Sequence, residues 1–292
     1  MRFGILPMNK MMTTEATLAA AVEAVRRRSD LRPRAAIILG SGLGELADEV
    51  TAAVRIDYAD LPGFGCSTAA GHRGQLLLGK LDGVEVVLMA GRFHRYEGHS
   101  DAAVTFPVRL MAALGARRLI VSNAAGGLNP LLNVGDIVVL TDHLDLGRRL
   151  EQPLAAPPAA VESDFGARER TAAAGALYDR ALIQVALAAA RAGDFHASPG
   201  IYLAALGPTY ETRAEYRMMR GFGADVVGMS TAPEVAVAKR LGMEVLGLSV
   251  VSNVAQPDLP QPTSHEEVLA VGHRAAANLR KIIAAALAHP LT

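Results

Sequence analysis

"AAIILGSGLGEL", residues 35–46, decides the architecture. The apolar run 35–39 reads as a buried strand. It feeds directly into Gly40, Ser41, Gly42 and Gly44, a flexible turn whose N–H groups and hydroxyl can cradle a phosphate. The spelling is wrong for a dinucleotide site, since Glu45 stands where the third glycine of G-x-G-x-x-G belongs. It is also wrong for a P-loop, since no Lys-Ser/Thr pair follows. By itself the motif leaves a ligand turn and a plain strand-to-helix turn both open.

Working outward, the pattern is strand alternating with helix. Leu18, Val22 and Val25 predict a helix over 14–28, with Glu15 in its first turn. The segment 75–91 is two apolar runs joined by Asp82-Gly83, a hairpin signal because both turn positions favour positive φ. A helix over 101–114 ends at Gly115, and strands follow at 117–122 and 136–142. Residues 147–169 hold three prolines and no steady period, and read as a long surface loop. Regularity returns with helix 171–192, strand 200–206, helix 211–220, strand 225–229, helix 232–241 and strand 244–251. A last helix over 265–288 opens with the capping box Ser264-x-x-Glu267. This alternation predicts an α/β protein with a mixed, largely parallel central sheet covered by helices. With no obvious linker and no repeat, one domain over 1–292 is expected. Residues 1–12 are read as disordered or as an upstream start, because Met8, Met11 and Met12 are rival starts.

Composition narrows the function classes. Among 292 residues, Lys plus Arg and Asp plus Glu are 29 each, so no net basic charge points to nucleic acid. Arg26-Arg27-Arg28 falls at a helix end, where it suits the carbonyl-rich terminus. A single cysteine, Cys66, excludes an internal disulfide framework and fits a reducing compartment. No stretch reaches the ~18 apolar residues of a membrane span, and the N-terminus is a poor signal peptide. A cytoplasmic protein is expected. The hydrophobic share of 51% is ample for a sizeable core, and the charged share of 20% favours an oligomer with buried subunit surface.

In α/β sheets ligands bind beyond the carboxyl ends of strands. Six strands here are followed by polar or glycine-rich residues: "GSG" 40–42, "GRFHRYEGH" 91–99, "NAAGGLN" 123–129, "GPTYET" 207–212, Ser230, and Ser252-Asn253. Arg92 could grip a phosphate with two parallel hydrogen bonds, with His94 on the same side of an extended chain. The duller reading pairs Arg92 with Glu97. His94 and His99 do not amount to a metal site, since neither HExxH nor a Cys/His cluster is present. Other residues have plain readings too. Glu211 fits a first-turn helix acid, Met229 fits core, His265 fits a solvated first-turn residue and Asn253 fits a turn former.

Taken together, "GSGLG", "GRFHRYEG", "NAAGGLN", "GPTYET", "GADVVGMSTAPEVAVAKRLGM" and "SHEEVLAVG" resemble the trimeric purine nucleoside phosphorylase family from about residue 35 onward. The resemblance implies the nucleoside phosphorylase fold and phosphorolysis of 6-oxopurine nucleosides such as inosine and guanosine, within purine salvage. Inorganic phosphate would be co-substrate, with no cofactor and no metal. It implies that Ser41, His72, Arg92, His94, the N–H of Ala124 and Ser230 hold phosphate. Tyr96, Met229 and His265 would surround the ribose. Tyr210, Glu211 and Asn253 would take the purine, with His94, Glu211 and Asn253 serving the chemistry. Asn253 in place of aspartate favours 6-oxopurines. Two segments depart from the family pattern: 147–169, where Phe165 is the candidate aromatic for a neighbouring subunit's site, and 254–263. The partners implied are a purine nucleoside, phosphate and two further copies in a homotrimer, with neither nucleic acid nor membrane. Rival functions are a methylthioadenosine phosphorylase and a non-catalytic nucleoside-binding protein.

Overall fold

The computed structural model describes residues 15–40, 42–65, 73–147, 176–255 and 264–291. Helix α1 (Glu15–Arg26) buries Ala21, Ala24 and Val25, and carries Glu15 and Arg26 at the ends that suit their charges. Strand β1 (Ala35–Leu39) is buried along its whole length. Strand β2 (Thr51–Asp57) is an exposed strand that shows too little alternation to be read from sequence. Strands β3 (Gln75–Leu81) and β4 (Val84–Ala90) form the expected hairpin. Its turn residues Asp82 and Gly83 sit at φ 51° and 78°, as a two-residue hairpin turn requires. Helix α2 (Asp101–Ala113) starts where the Ser100 hydroxyl accepts from the Ala103 N–H.

Strands β5 (Arg118–Gly127) and β6 (Ile137–Asp145) follow, then helix α3 (Arg180–Ala192), strand β7 (Ala197–Ala204), helix α4 (Arg213–Gly221), strand β8 (Val226–Gly228), helix α5 (Ala232–Arg240), strand β9 (Glu244–Val254) and helix α6 (His265–Ala288). Helix α3 begins later than the expected 171, because the Asp179 carboxylate caps it by accepting from the Leu182 N–H. The alanines before the cap carry no signal of where the helix starts. Residues 171–175 of that expectation, and nearly all of the expected loop 147–169, lie outside the described residues.

The nine strands form one sheet in the order β2-β3-β4-β1-β5-β8-β7-β6-β9, and β9 also pairs with β5. Five strands therefore close into a ring, β5-β8-β7-β6-β9. Parallel pairings join β1 to β4 and β5, β5 to β9, and β7 to β6 and β8. Antiparallel ones join β3 to β2 and β4, β5 to β8, and β6 to β9. The sheet is mixed, as expected; its closure was not foreseen.

That closure corrects one expectation. Residues 123–127 and 252–254 are strand, not loop: β5 and β9 stay paired from Arg118↔Glu244 to Gly127↔Val254, with an irregularity between Ala125 and Gly126. Gly127 marks close approach rather than a turn: a Cβ there would lie 3.1 Å from Val251 Cγ1. None of the described helices is long and apolar enough to cross a membrane.

Candidate active site

The carboxyl end of β4, the outer halves of β5 and β9, and the end of β8 converge on one cavity. Among its lining residues are Arg92, His94, Tyr96, Ala124, Tyr210, Glu211, Met229, Ser230 and Asn253. These are nine of the residues singled out from sequence, drawn from segments up to about 160 positions apart. Ser41, His72 and Phe165 lie outside the described residues, although Gly40 lines the cavity. His265 is the first residue of α6, and only its backbone is described; Val268, one turn on, reaches the cavity.

At one end lies a buried polar network. The Arg92 side chain is 1% exposed and its Nη1 lies 3.1 Å from Glu234 Oε2, itself on a carboxylate 3% exposed. The same nitrogen is 3.0 Å from Ser230 Oγ and 3.1 Å from Thr231 Oγ1. Nη2 donates to the carbonyls of Ile38 and Ser122. Thr231 stands at φ 69°, an uncommon conformation for a β-branched residue. Its N–H donates to Glu234 Oε2 at 3.0 Å, and its hydroxyl oxygen accepts from Asn123 Nδ2 at 2.9 Å. Arg92 is thus held by β1, β5 and the start of α5 before any ligand arrives.

The duller pairing of Arg92 with Glu97 is not what the structure holds. Glu97 serves His94 instead: its Oε1 is 2.9 Å from His94 Nδ1 and accepts the His94 backbone N–H at 2.9 Å. A carboxylate there keeps the proton on Nδ1 and makes Nε2 the acceptor of the neutral ring. The Tyr96 ring stacks on the imidazole at 4.7 Å and 16°. Burial first, and the Glu97 carboxylate next, push the Tyr96 phenol up to about 12, so it stays a neutral donor.

The other end has a different character. Ser252 Oγ lies 3.0 Å from Asn253 Oδ1 and 3.2 Å from the Ala125 carbonyl. The single Ser252 hydroxyl proton is shared between these two acceptors, and the contact holds the Asn253 amide at the cavity wall. Glu211 precedes α4 by two residues, whose N-cap is Thr212, so it is not a first-turn helix acid. Burial raises its carboxyl above the usual range, while its own backbone N–H and the Tyr216 hydroxyl pull it back down. Tyr210 is 49% exposed at the rim.

With this geometry in hand, the sequence profile described as the phosphorylase superfamily matches residues 34–288. The chain belongs to the phosphorylase superfamily. It is similar to a Bacillus subtilis protein named purine nucleoside phosphorylase 1, with 48% identity over 257 residues, 88% of this chain and 92% of that one. A Bos taurus purine nucleoside phosphorylase is 43% identical over 265 residues, covering 89% of this chain and 90% of its own. A solved Schistosoma mansoni purine nucleoside phosphorylase in complex with inosine aligns with a TM-score of 0.83 at 36% identity. That alignment covers 96% of this chain and 99% of the other.

As a superfamily member, the chain presents a cavity with two chemistries: cationic and hydroxyl-rich around Arg92 and Ser230, amide and carboxylate around Asn253 and Glu211. Sequence reasoning missed Glu234, Thr231, Asn123 and Tyr216. For Glu234 the local spelling signals only a helix first turn, and nothing in it indicates a partner 142 residues away. Tyr216 was within reach: the Thr212–Glu215 capping box marks where α4 begins, and a residue one position later on its first turn can face back toward Glu211.

Proposed function

We propose that the protein is a purine nucleoside phosphorylase. It cleaves the N-glycosidic bond of 6-oxopurine ribonucleosides or deoxyribonucleosides, such as inosine and guanosine, with phosphate as co-substrate. The observation that carries this reading is the meeting, in one cavity, of the Arg92–Ser230 centre with the Glu211–Asn253 pair. The relatives named above support it.

The chemistry follows from those two ends. A phosphate oxygen forms a bond to C1′ as the bond from C1′ to N9 breaks, giving (deoxy)ribose 1-phosphate. The electron pair leaves with the purine. Positive charge develops on the sugar, as in glycoside hydrolysis, and the bound anion opposes it. Phosphate would be held by Ser41, His72, Arg92, His94, the Ala124 N–H and Ser230. Tyr96, Met229 and His265 would surround the ribose. Asn253 Nδ2 donates toward the N7/O6 edge, where negative charge grows as the base departs. Ionised Glu211 accepts N1–H of a 6-oxopurine; facing the N1 acceptor of adenine it would be unmatched, at a cost of about 1–3 kcal/mol. Tyr210 would cover the base, and Phe165 is the candidate aromatic that a neighbouring copy would supply. The same reading takes 1–292 as one domain, with a homotrimer working in cytoplasmic purine salvage; the family resemblance supports these.

The test is release of hypoxanthine from inosine with and without phosphate. Turnover should require phosphate and yield one sugar 1-phosphate per base. Equal hydrolysis without phosphate would refute phosphorolysis, and equal turnover of methylthioadenosine would refute the 6-oxopurine preference.

A further inference from the structure

We propose that Thr231 is a positioning residue: it holds Ser230 in a strained γ-turn that sets the Ser230 hydroxyl beside Arg92, where an anion binds. This rests on the assignment of Arg92 and Ser230 to phosphate and deepens it, by naming what fixes Ser230.

Ser230 lines the cavity, and Thr231 lies behind it, fully buried. Thr231 stands at φ 69° and ψ −53°, and the Ser230 carbonyl accepts from the Ala232 N–H at 2.8 Å. Those angles, with that bond across three residues, are the rarer and strained form of γ-turn. A β-branched residue keeps such a conformation only where its surroundings impose it. The Thr231 hydroxyl oxygen lies 3.1 Å from Arg92 Nη1, 2.9 Å from Asn123 Nδ2 and 3.1 Å from Ser230 Oγ. Its N–H donates to Glu234 Oε2 at 3.0 Å, and its carbonyl accepts from the Val235 N–H at 2.9 Å.

Capping α5 does not require this strain. An N-cap residue ordinarily keeps an extended backbone, as Thr212 does before α4 with φ −73° and ψ 163°. What the turn achieves is convergence. Neighbouring side chains on an extended chain point to opposite sides. Here the Ser230 and Thr231 hydroxyls lie 3.1 Å apart, and both are within 3.1 Å of the same Arg92 nitrogen. The Ser230 backbone is fixed as well, its N–H donating to the Tyr202 hydroxyl of β7 at 3.1 Å. Ser230 is therefore ordered beside the guanidinium by folding, and an arriving anion need not order it again. Thr231 acts through Ser230 rather than on the anion itself.

The experiment is calorimetric binding of inorganic phosphate, and separately of inosine, to the full chain. The proteins are the wild type, Ser230→Ala, Thr231→Gly, Thr231→Ser and the double variant Ser230→Ala with Thr231→Gly. Glycine takes φ 69° without strain, so the turn remains accessible while the hydroxyl contacts are lost. Thr231→Val, which keeps the shape without the hydroxyl, gives the same reading where glycine loosens the start of α5. Ser230→Ala should weaken phosphate about tenfold, the weight of one hydrogen bond to a charged group. Thr231→Gly should weaken it about as much and leave inosine within about twofold. Thr231→Ser keeps the hydroxyl and should stay within about twofold for both ligands. The double variant should bind phosphate no more than about twofold more weakly than Ser230→Ala, because both changes remove one contact. A further tenfold loss in the double variant overturns the inference, and equal losses of phosphate and inosine in Thr231→Gly mark a merely structural role and do the same. If Ser230→Ala weakens phosphate while Thr231→Gly binds it as wild type does, only the Thr231 inference falls. If Ser230→Ala binds phosphate as wild type does, the assignment of Ser230 to the anion fails and takes the Thr231 role with it.

Discussion

Glu234→Gln tests whether the buried carboxylate stands in for an anion that the site is built to receive. In the native protein the Arg92 guanidinium, 1% exposed, faces Glu234 at 3.1 Å, with the carboxylate 3% exposed. Breaking one side of a buried ion pair costs about 3–5 kcal/mol, because the remaining charge is left uncompensated. Glutamine keeps an amide oxygen that can accept from Arg92 and from the Thr231 N–H, so the lower end, about 3 kcal/mol, is expected. With an unfolding entropy of roughly 2 cal/mol/K per residue, that is a fall in Tm of about 5 °C for this chain. Differential scanning calorimetry in phosphate-free buffer reads it directly. The second arm carries the functional point. Phosphate bound beside Arg92 restores a negative partner, so saturating phosphate should raise the Tm of the variant more than that of wild type and at least halve the gap. Two results would refute the reasoning. A phosphate-free loss under about 1 kcal/mol would mean that Glu234 does not compensate Arg92. Equal phosphate stabilisation of both proteins would mean that the anion sits elsewhere.

Two further substitutions probe the base end and the glycine turn. Asn253→Asp replaces the amide N–H₂ with a carboxylate oxygen; kcat/KM for inosine should fall about tenfold or more and the adenosine-to-inosine turnover ratio should rise, whereas an unchanged ratio would show that Asn253 does not read the base. Gly42→Ala forces a side chain onto φ 76° and puts its Cβ 2.7 Å from the Leu269 carbonyl and 2.9 Å from Gly272 Cα on α6. Urea unfolding should show a loss of about 2 kcal/mol or more, and a loss under about 0.5 kcal/mol would mean that the turn and α6 relax apart.

Much of this protein could be read from sequence because many of its signals are local. The Asp82-Gly83 turn, the Ser264–Glu267 box and the buried run 35–39 act within a few residues, so their spelling locates a hairpin, a helix start and a strand. The candidate site was legible through the polar and glycine-rich segments at strand ends, strengthened by the family resemblance they share. The structure draws nine of the named residues to one cavity.

What only the tertiary structure decided is who partners whom. Glycine is spelled the same whether it serves a turn or admits a neighbouring chain. Gly126 and Gly127 therefore read as loop until β9 was seen beside them. Closure of β5, β8, β7, β6 and β9 into a ring depends on pairings across long stretches of chain, which no window of neighbouring residues contains. The assignment of Glu97 to His94 and of Glu234 to Arg92 was settled the same way. A buried charge takes the partner that burial leaves within reach, and burial belongs to the folded whole rather than to any segment of it.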